Sequence, residues 1–339
     1  MSARVVEAPQ FTPVHLITGF LGSGKTTLLR RWLASPDLAD TAVLINEFGE
    51  VGLDHELLER VDADTVLLSS GCVCCTVRGE LADAIKSLHG RRERGVIPSY
   101  RRLVIESSGL ADPLPILTTI SAEPQLRHHY RVGQIVTTVD AVNGGGQLDR
   151  QPESRKQAAV ADRLVVTKTD IAAPELTQGL IERLAALNPS APIRFAADAS
   201  LTPDDLIGAD WQDPTRARRE FGHWFRAEAA EPGTSHGDDI SAISLVLDRP
   251  VDWTAFGLWL SMILHRHGEA VLRVKGILAV TGEDAPVVVQ AVSQLVHAPQ
   301  HLTRWPSADR RSRLVFIVKG IDGAALRRSF DAFVGGSNA

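Results

Sequence analysis

An α/β fold, with a mostly parallel sheet covered by helices on both faces and a smaller α+β module behind it, is what this chain predicts. Three observations carry the prediction. Residues 14–27, VHLITGFLGSGKTT, pass from an apolar run through G-x-x-x-x-G-K-T into a helical pattern. Strand-like and helix-like segments then alternate over the first two hundred residues. Several of the strand-like runs (LVIE, IVTTVD, LVVT) are almost continuously apolar, as strands buried on both faces are.

The first predicted strand, 14–18, delivers the glycine-rich turn. Gly19, Gly22 and Gly24 let backbone approach a polyphosphate, the amides from Gly22 through Ser23 and Gly24 to Thr26 point at it, and the following helix, about 25–34, presents its positive end. Lys25 is placed to reach β and γ phosphates and Thr26 to ligate Mg²⁺, with Thr27 completing the phosphate-binding run. The motif in this strand-to-helix setting implies a bound nucleoside triphosphate.

A strand at 42–46 leads into INEFGEVGLDHELL (45–58), where Glu47, Glu50 and Asp54 alternate with hinge candidates Gly49 and Gly52. A polar loop of this kind suits ordering by γ phosphate and Mg²⁺, with Asp54 a candidate Mg²⁺ ligand. The strand at 65–68 runs into SSGCVCCTVRGEL, which holds all three cysteines of the chain, Cys72, Cys74 and Cys75. An odd count without paired spacing argues against a disulfide framework. Three thiols this close can ligate Zn²⁺ or Co²⁺ and leave a tetrahedral ion one ligand short; Glu50 or His55 could complete the shell. Buried packing and redox sensing are the competing readings.

After a helix at 78–90, the strand at 101–106 ends on ESSG, where Glu106 can hold Mg²⁺ or its water and Gly109 can offer an amide to the γ phosphate. A helix at 113–120, a strand at 134–140 and a helix at 153–160 follow. The strand at 163–167 leads into TKTD: Asp170 can accept from N1–H and the exocyclic amine of guanine, and the stem of Lys168 can lie against the base. A helix at 173–187 and a strand at 192–195 close the run. Every motif falls at a strand's carboxyl end, where such folds place their ligands.

Boundaries follow from composition: an extension at 1–12, a P-loop nucleotide domain at 13–208, a charged, Pro- and Gly-punctuated linker at 209–238, and a C-terminal domain at 239–335. A net charge of −5, without a basic, aromatic-interleaved patch, gives no reason to expect nucleic acid. RRERG at 91–95 and RAR at 216–218 read as solvated faces. No apolar stretch approaches a membrane span and no secretory layout opens the chain, so a soluble cytoplasmic protein is expected.

Together TGFLGSGKTTLL, NEFGEVGLD, GCVCCTVRGEL, ESSGLADP, VTTVDAVN and TKTD resemble the CobW-type metallochaperone GTPases, within a broader class of dimerising P-loop GTPases that serve urease and hydrogenase. HGEAVLRVKGILAV and RWPSADRRSRLVFIVKG are similar to that family's C-terminal domain, so the resemblance covers about residues 13–335. It implies GTP hydrolysis with Mg²⁺, a Walker-B-like role for Glu106, base recognition by Thr167, Lys168 and Asp170, and Zn²⁺ or Co²⁺ on Cys72, Cys74 and Cys75. It also implies a client apo-metalloprotein as partner and allows a homodimer. Two departures stand out. Only His223 and His236 lie where many members carry a histidine-rich tract, and the base motif opens on Thr167 where Asn is frequent.

The mechanism expected couples two sites through the 46–55 loop: GTP orders it and draws the cysteine turn into binding geometry, and hydrolysis releases the ion. Intrinsic turnover is expected to be slow. The alternatives are a dedicated activator of one metalloenzyme (cobalt delivery for cobalamin synthesis, or nitrile hydratase), a metal or redox sensor with a regulatory nucleotide site, and a small-molecule kinase. The last would leave TKTD and the cysteines without a role.

Overall fold

The computed structural model describes residues 11–45, 66–69, 77–208, 221–222, 224 and 240–335. Seven parallel strands form the first sheet: β1 (Thr12–Thr18), β2 (Thr41–Ile45), β3 (Val66–Ser69), β4 (Arg102–Glu106), β5 (Tyr130–Asp140), β6 (Arg163–Thr167) and β7 (Ile193–Phe195). Their order is β3-β2-β4-β1-β5-β6-β7, with β1 at the centre. The helices between them are α1 (Lys25–Leu33), α2 (Val77–Glu93), α3 (Pro113–Ala122), α4 (Gly144–Arg150), α5 (Pro152–Val160), α6 (Pro174–Leu187) and α7 (Pro203–Ile207).

Strand alternation distributes the apolar side chains to two cores. Val14, Leu16, Leu103 and Ile105 pack with Ile85 and Leu88 of α2 and Leu117 of α3. Ile17, Val43, Val104, Val136 and Val165 pack on the other face with Leu29 and Trp32 of α1. Both faces are therefore covered, which is why these strands read as unbroken apolar runs.

The second sheet is antiparallel, in the order β11-β10-β9-β13-β8 with β12 also on β10. Its strands are β8 (Ile240–Leu247), β9 (Val271–Leu278), β10 (Val287–Val292), β11 (Leu295–Val296), β12 (Gln300–His301) and β13 (Ser312–Lys319). One face packs on α8 (Trp253–His267) and α9 (Gly323–Phe333) through Trp259, Phe316 and Phe330. The other sends Leu272, Val292 and Ile317 into the core shared with Tyr130, Ala159 and Val160 of the first unit.

Most boundaries agree with the sequence to within two residues, but three features do not. β5 begins at Tyr130, four residues before its apolar run, because Thr12 and Pro13 of β1 pair with Tyr130 and Arg131. GGGQLDR forms α4 despite three residues of poor helix propensity. A Cβ on Gly144 would meet Val139 at 2.8 Å and Leu180 at 3.2 Å, so tertiary packing, not propensity, holds that turn. The short helix α7 carries a capping box, with Thr202 and Asp205 each bonding the other's backbone. Of the linker expected at 209–238, only Phe221, Gly222 and Trp224 are described; Phe221 and Trp224 are buried against Ile277, Val288 and Leu302.

Arg92, expected on a solvated face, is instead partly buried: its guanidinium lies 4.8 Å over the Tyr100 ring and donates to Thr12 Oγ1. Arg273 and Lys275 of β9 turn to the first unit. Both pair with Asp162, the residue before β6, and all three side chains are no more than 4% exposed. Asp162 Oδ2 also accepts from the Ile135 amide at 3.0 Å, and Arg273 donates to Gln290 at 2.8 Å. Burial opposes the Asp162 charge, but Arg273, Lys275 and the amide outweigh it and hold the carboxyl below the usual range.

Candidate nucleotide site

β1 ends where the glycine-rich turn begins, and α1 starts at Lys25 directly after Gly24, whose φ of 89° is left-handed. That conformation suits glycine and turns successive amides toward one point. Lys25 is buried, and its Nζ donates to the carbonyls of Gly19 at 2.9 Å and Phe20 at 3.2 Å. The ammonium thus lies folded along the loop, beside the space where phosphates would sit. Ser23 is buried with its Oγ 2.6 Å from Thr138 Oγ1, which ties the loop to β5. Gly22 and Thr27 stand at the exposed rim.

Thr26 Oγ1 donates to Glu106 Oε1 at 2.6 Å. Thr26 sits on the first turn of α1 and Glu106, 2% exposed, is the last residue of the neighbouring β4. A hydroxyl and a carboxylate held together at a phosphate-binding loop form a hard oxygen pair, the donor chemistry Mg²⁺ takes. Past Glu106, Gly109 is buried with its Cα against the loop: a Cβ there would come within 2.6 Å of the Leu21 amide nitrogen. Gln157 of α5 donates to the carbonyls of Gly109 and Ala111, both at 3.1 Å, and Lys156 pairs with Asp112 at 2.6 Å. ESSGLADP is therefore pinned from below as well as from its own strand.

On the far side, Thr167 ends β6 and donates to the Ser23 carbonyl at 2.8 Å, joining the base motif to the phosphate loop. Lys168 has a φ of 58° and its Nζ reaches Asp140 Oδ2 at 2.7 Å. Asp140 ends β5, is 1% exposed, and accepts also from the Val142 and Asn143 amides. Burial works against its charge, but Lys168 and Asn143 hold its carboxyl below the usual range. Asp140 is the residue that sequence reasoning missed: it ends VTTVD on β5, the strand that pairs with β6 and so lies beside TKTD only in the fold. Asp170 is exposed, with its carboxylate available to a base.

The structure thus brings together Ser23, Gly24, Lys25, Thr26, Glu106, Gly109, Thr167, Lys168 and Asp170. Cys72, Cys74, Cys75, Glu47, Glu50, Asp54 and His55 lie outside the described residues. Among the described residues no group of three His, Cys, Asp or Glu side chains could hold a metal ion. No described helix is long and apolar enough to cross a membrane.

Comparison with known proteins agrees with this fold. Residues 13–195 match the model of the CobW/HypB/UreG nucleotide-binding domain, and residues 240–334 that of the cobalamin synthesis protein cobW C-terminal domain. The chain is 32% identical to the zinc chaperone YjiA of Escherichia coli, over 94% of this chain and 97% of that one. It is 29% identical to the zinc chaperone CobW of a Sinorhizobium species, over 95% and 97% respectively. Among solved structures, Zn(II)-bound YjiA GTPase superposes with a TM-score of 0.68 at 28% identity, covering 95% of this chain and 99% of the other. A Zn(II)-bound YjiA with three residues replaced by alanine superposes with a TM-score of 0.70 at the same coverage.

Proposed function

The chain belongs to the CobW family, and from that premise we propose that it is a GTP-hydrolysing metal chaperone. It holds zinc or cobalt on Cys72, Cys74 and Cys75 and passes the ion to a client apo-metalloprotein. The observation that carries the nucleotide half is the Thr26–Glu106 bond at 2.6 Å beside Lys25, with Thr167 tied to the same loop. Lys25 exchanges its two carbonyl partners for β and γ phosphate oxygens. The loop amides and the α1 terminus hold the remaining phosphate charge. Thr26 and Glu106 hold Mg²⁺, which supplies charge neutralisation for the transferring phosphoryl group. Asp170 reads the guanine edge, while Asp140 fixes Lys168 so that its stem lies alongside the base. The nucleotide domain is assigned to 13–208 and the C-terminal domain to 239–335.

What supports coupling between the cargo and the nucleotide is strand register. Ser69, the last residue of β3, pairs with Ile45 of β2, and Ile45 pairs with Glu106 of β4. At about 4.8 Å per strand, the backbone from which the cysteine segment departs lies about 10 Å from that of Glu106. Cys72 follows only three residues later in the sequence. Zinc is favoured over cobalt as cargo because relatives spanning nearly the whole chain carry zinc in their names.

The test is a metal titration of the reduced protein with Zn²⁺ and Co²⁺, run with Mg²⁺–GTPγS, with Mg²⁺–GDP and without nucleotide. Thiolate-to-cobalt absorption reads the site directly. The expected result is tighter binding with the GTP analogue by about 5–150-fold, lost in Cys74→Ala. Equal affinity in all three states would overturn the coupling and leave a separate metal sensor as the better account.

A further inference from the structure

The end of the first sheet opposite the nucleotide opens a cavity of about 790 Å³, walled on its other side by β10 and β11. Arginines reach it from three separate segments: Arg101 and Arg102 at the start of β4, Arg127 after α3, and Arg131 on β5. Asp204 lines the same cavity, and Asp40 lies 3.6 Å from Arg101 and 3.4 Å from Arg102. Four guanidiniums thus face two carboxylates. Arg127 and Arg131 are exposed, and neither forms an ion pair or side-chain hydrogen bond among the described residues.

The inner wall carries His15 and His297. His15 Nδ1 accepts from the Gln134 amide at 3.0 Å, whereas His297 Nε2 is buried without a hydrogen-bond partner. Burial and then Arg102 push the His15 pKa down to about 3; burial and then Arg273, with Arg131 adding to it, push that of His297 down to about 4. Both rings stay neutral in a region of positive potential, so the positive charge of the cavity comes from its arginines alone.

An excess of guanidinium around a concave site is the chemistry that recognises phosphate, each fork offering parallel N–H donors to two oxygens. The volume lies in the range of small-molecule sites. We propose that this junction binds a small phosphate-bearing anion, held by Arg127 and Arg131. A ligand there touches both sheets, since His15 and Arg131 belong to the first and His297 follows β11 of the second.

The experiment is isothermal titration of the intact chain, saturated with GDP so that the phosphate loop is filled, with inorganic pyrophosphate and with ADP as probes. The expected result is one site per chain, weakened about 10-fold or more in the Arg127→Ala/Arg131→Ala double variant and steeply by added salt. Tighter binding of ADP than of pyrophosphate would identify a nucleotide as the source; equal binding would identify inorganic or simple organic phosphate. Both arginines are exposed, so the unliganded unfolding midpoint and the GTP turnover of the variant serve as controls for folding. No binding of either probe up to about 1 mM, or binding that the double variant leaves unchanged, would overturn the proposal.

Discussion

The two ends of the first sheet use charge in opposite ways. At the carboxyl ends, Asp140 is buried but its partner Lys168 is 36% exposed, and Asp170 stands in solvent. At the amino ends, Asp162 and its partners Arg273 and Lys275 are shut away together, none more than 4% exposed. A ligand at the open end meets Lys168 and Asp170 where they already touch water, so it displaces solvent while Asp140 keeps its hold on Lys168. The closed trio cannot take a ligand in this way, since a charge there that loses its counter-charge is left with neutral partners and no solvent. The groups at the carboxyl ends are placed to meet a ligand, and the buried trio at the amino end to keep its partners.

Breaking the closed end gives the largest expected effect. Asp162→Ala strands two buried cations and is expected to lower global stability by about 3–5 kcal/mol, measured by urea unfolding. A loss below about 1 kcal/mol would mean that the trio is more hydrated than its burial indicates, and the contrast between the ends would fail.

The open end sets the next effect. Asp170→Ala is expected to leave the unfolding midpoint in place while cutting the preference for GTP over ATP by about 10–100-fold, the size of losing hydrogen bonds to a charged acceptor. Competition binding with both nucleotides checks it; an undiminished preference would move base recognition elsewhere.

A smaller, graded effect comes from pH. The folded His15 has its pKa near 3 against an ordinary 6.5, so between those values the unfolded chain binds a proton that the folded chain refuses. Stability should therefore fall with pH below 6.5, by up to about 1.4 kcal/mol per pH unit from this group. Asp162 acts in the same direction lower down, because its depressed carboxyl contributes stability that is lost once pH drops through the ordinary carboxylate range. Thermal unfolding from pH 7 to pH 4 measures the slope. His15→Gln, which keeps an acceptor for the Gln134 amide, should reduce it by one histidine's share, with His297, pushed down to about 4, supplying the same sign of slope; an unchanged slope would place the titration in other groups.

The same contrast explains what could be read before the fold was known. The carboxyl end was legible because its chemistry is local: Gly19 to Thr26, Glu106 to Gly109 and Thr167 to Asp170 each lie within one short segment with its own strand signal. Asp140 was missed because an aspartate after an apolar run signals nothing by itself; its role needs Lys168, twenty-eight residues on. The amino end was opaque for the same reason, more strongly. Asp162 meets Arg273 across 111 positions, and Arg101, Arg127 and Arg131 look like scattered surface charge until two strand starts and the turn after α3 converge. Arg92 was misjudged because its neighbours in sequence are charged, while its neighbour in space is Tyr100. α4 was passed over because packing around Gly144 overrides the propensity of its glycines.

The five-residue strand β6 runs between these two ends, from Asp162 in the closed trio to Thr167 on the phosphate loop. Side chains on a strand alternate, so a single insertion or deletion inside it would turn one of the two anchors to the wrong face. Loops elsewhere in the chain can lengthen or shorten as lineages diverge, but the spacing from 162 to 167 is a count that indels cannot alter without losing one attachment. Relatives that keep both should keep this interval as well, whatever residues fill it.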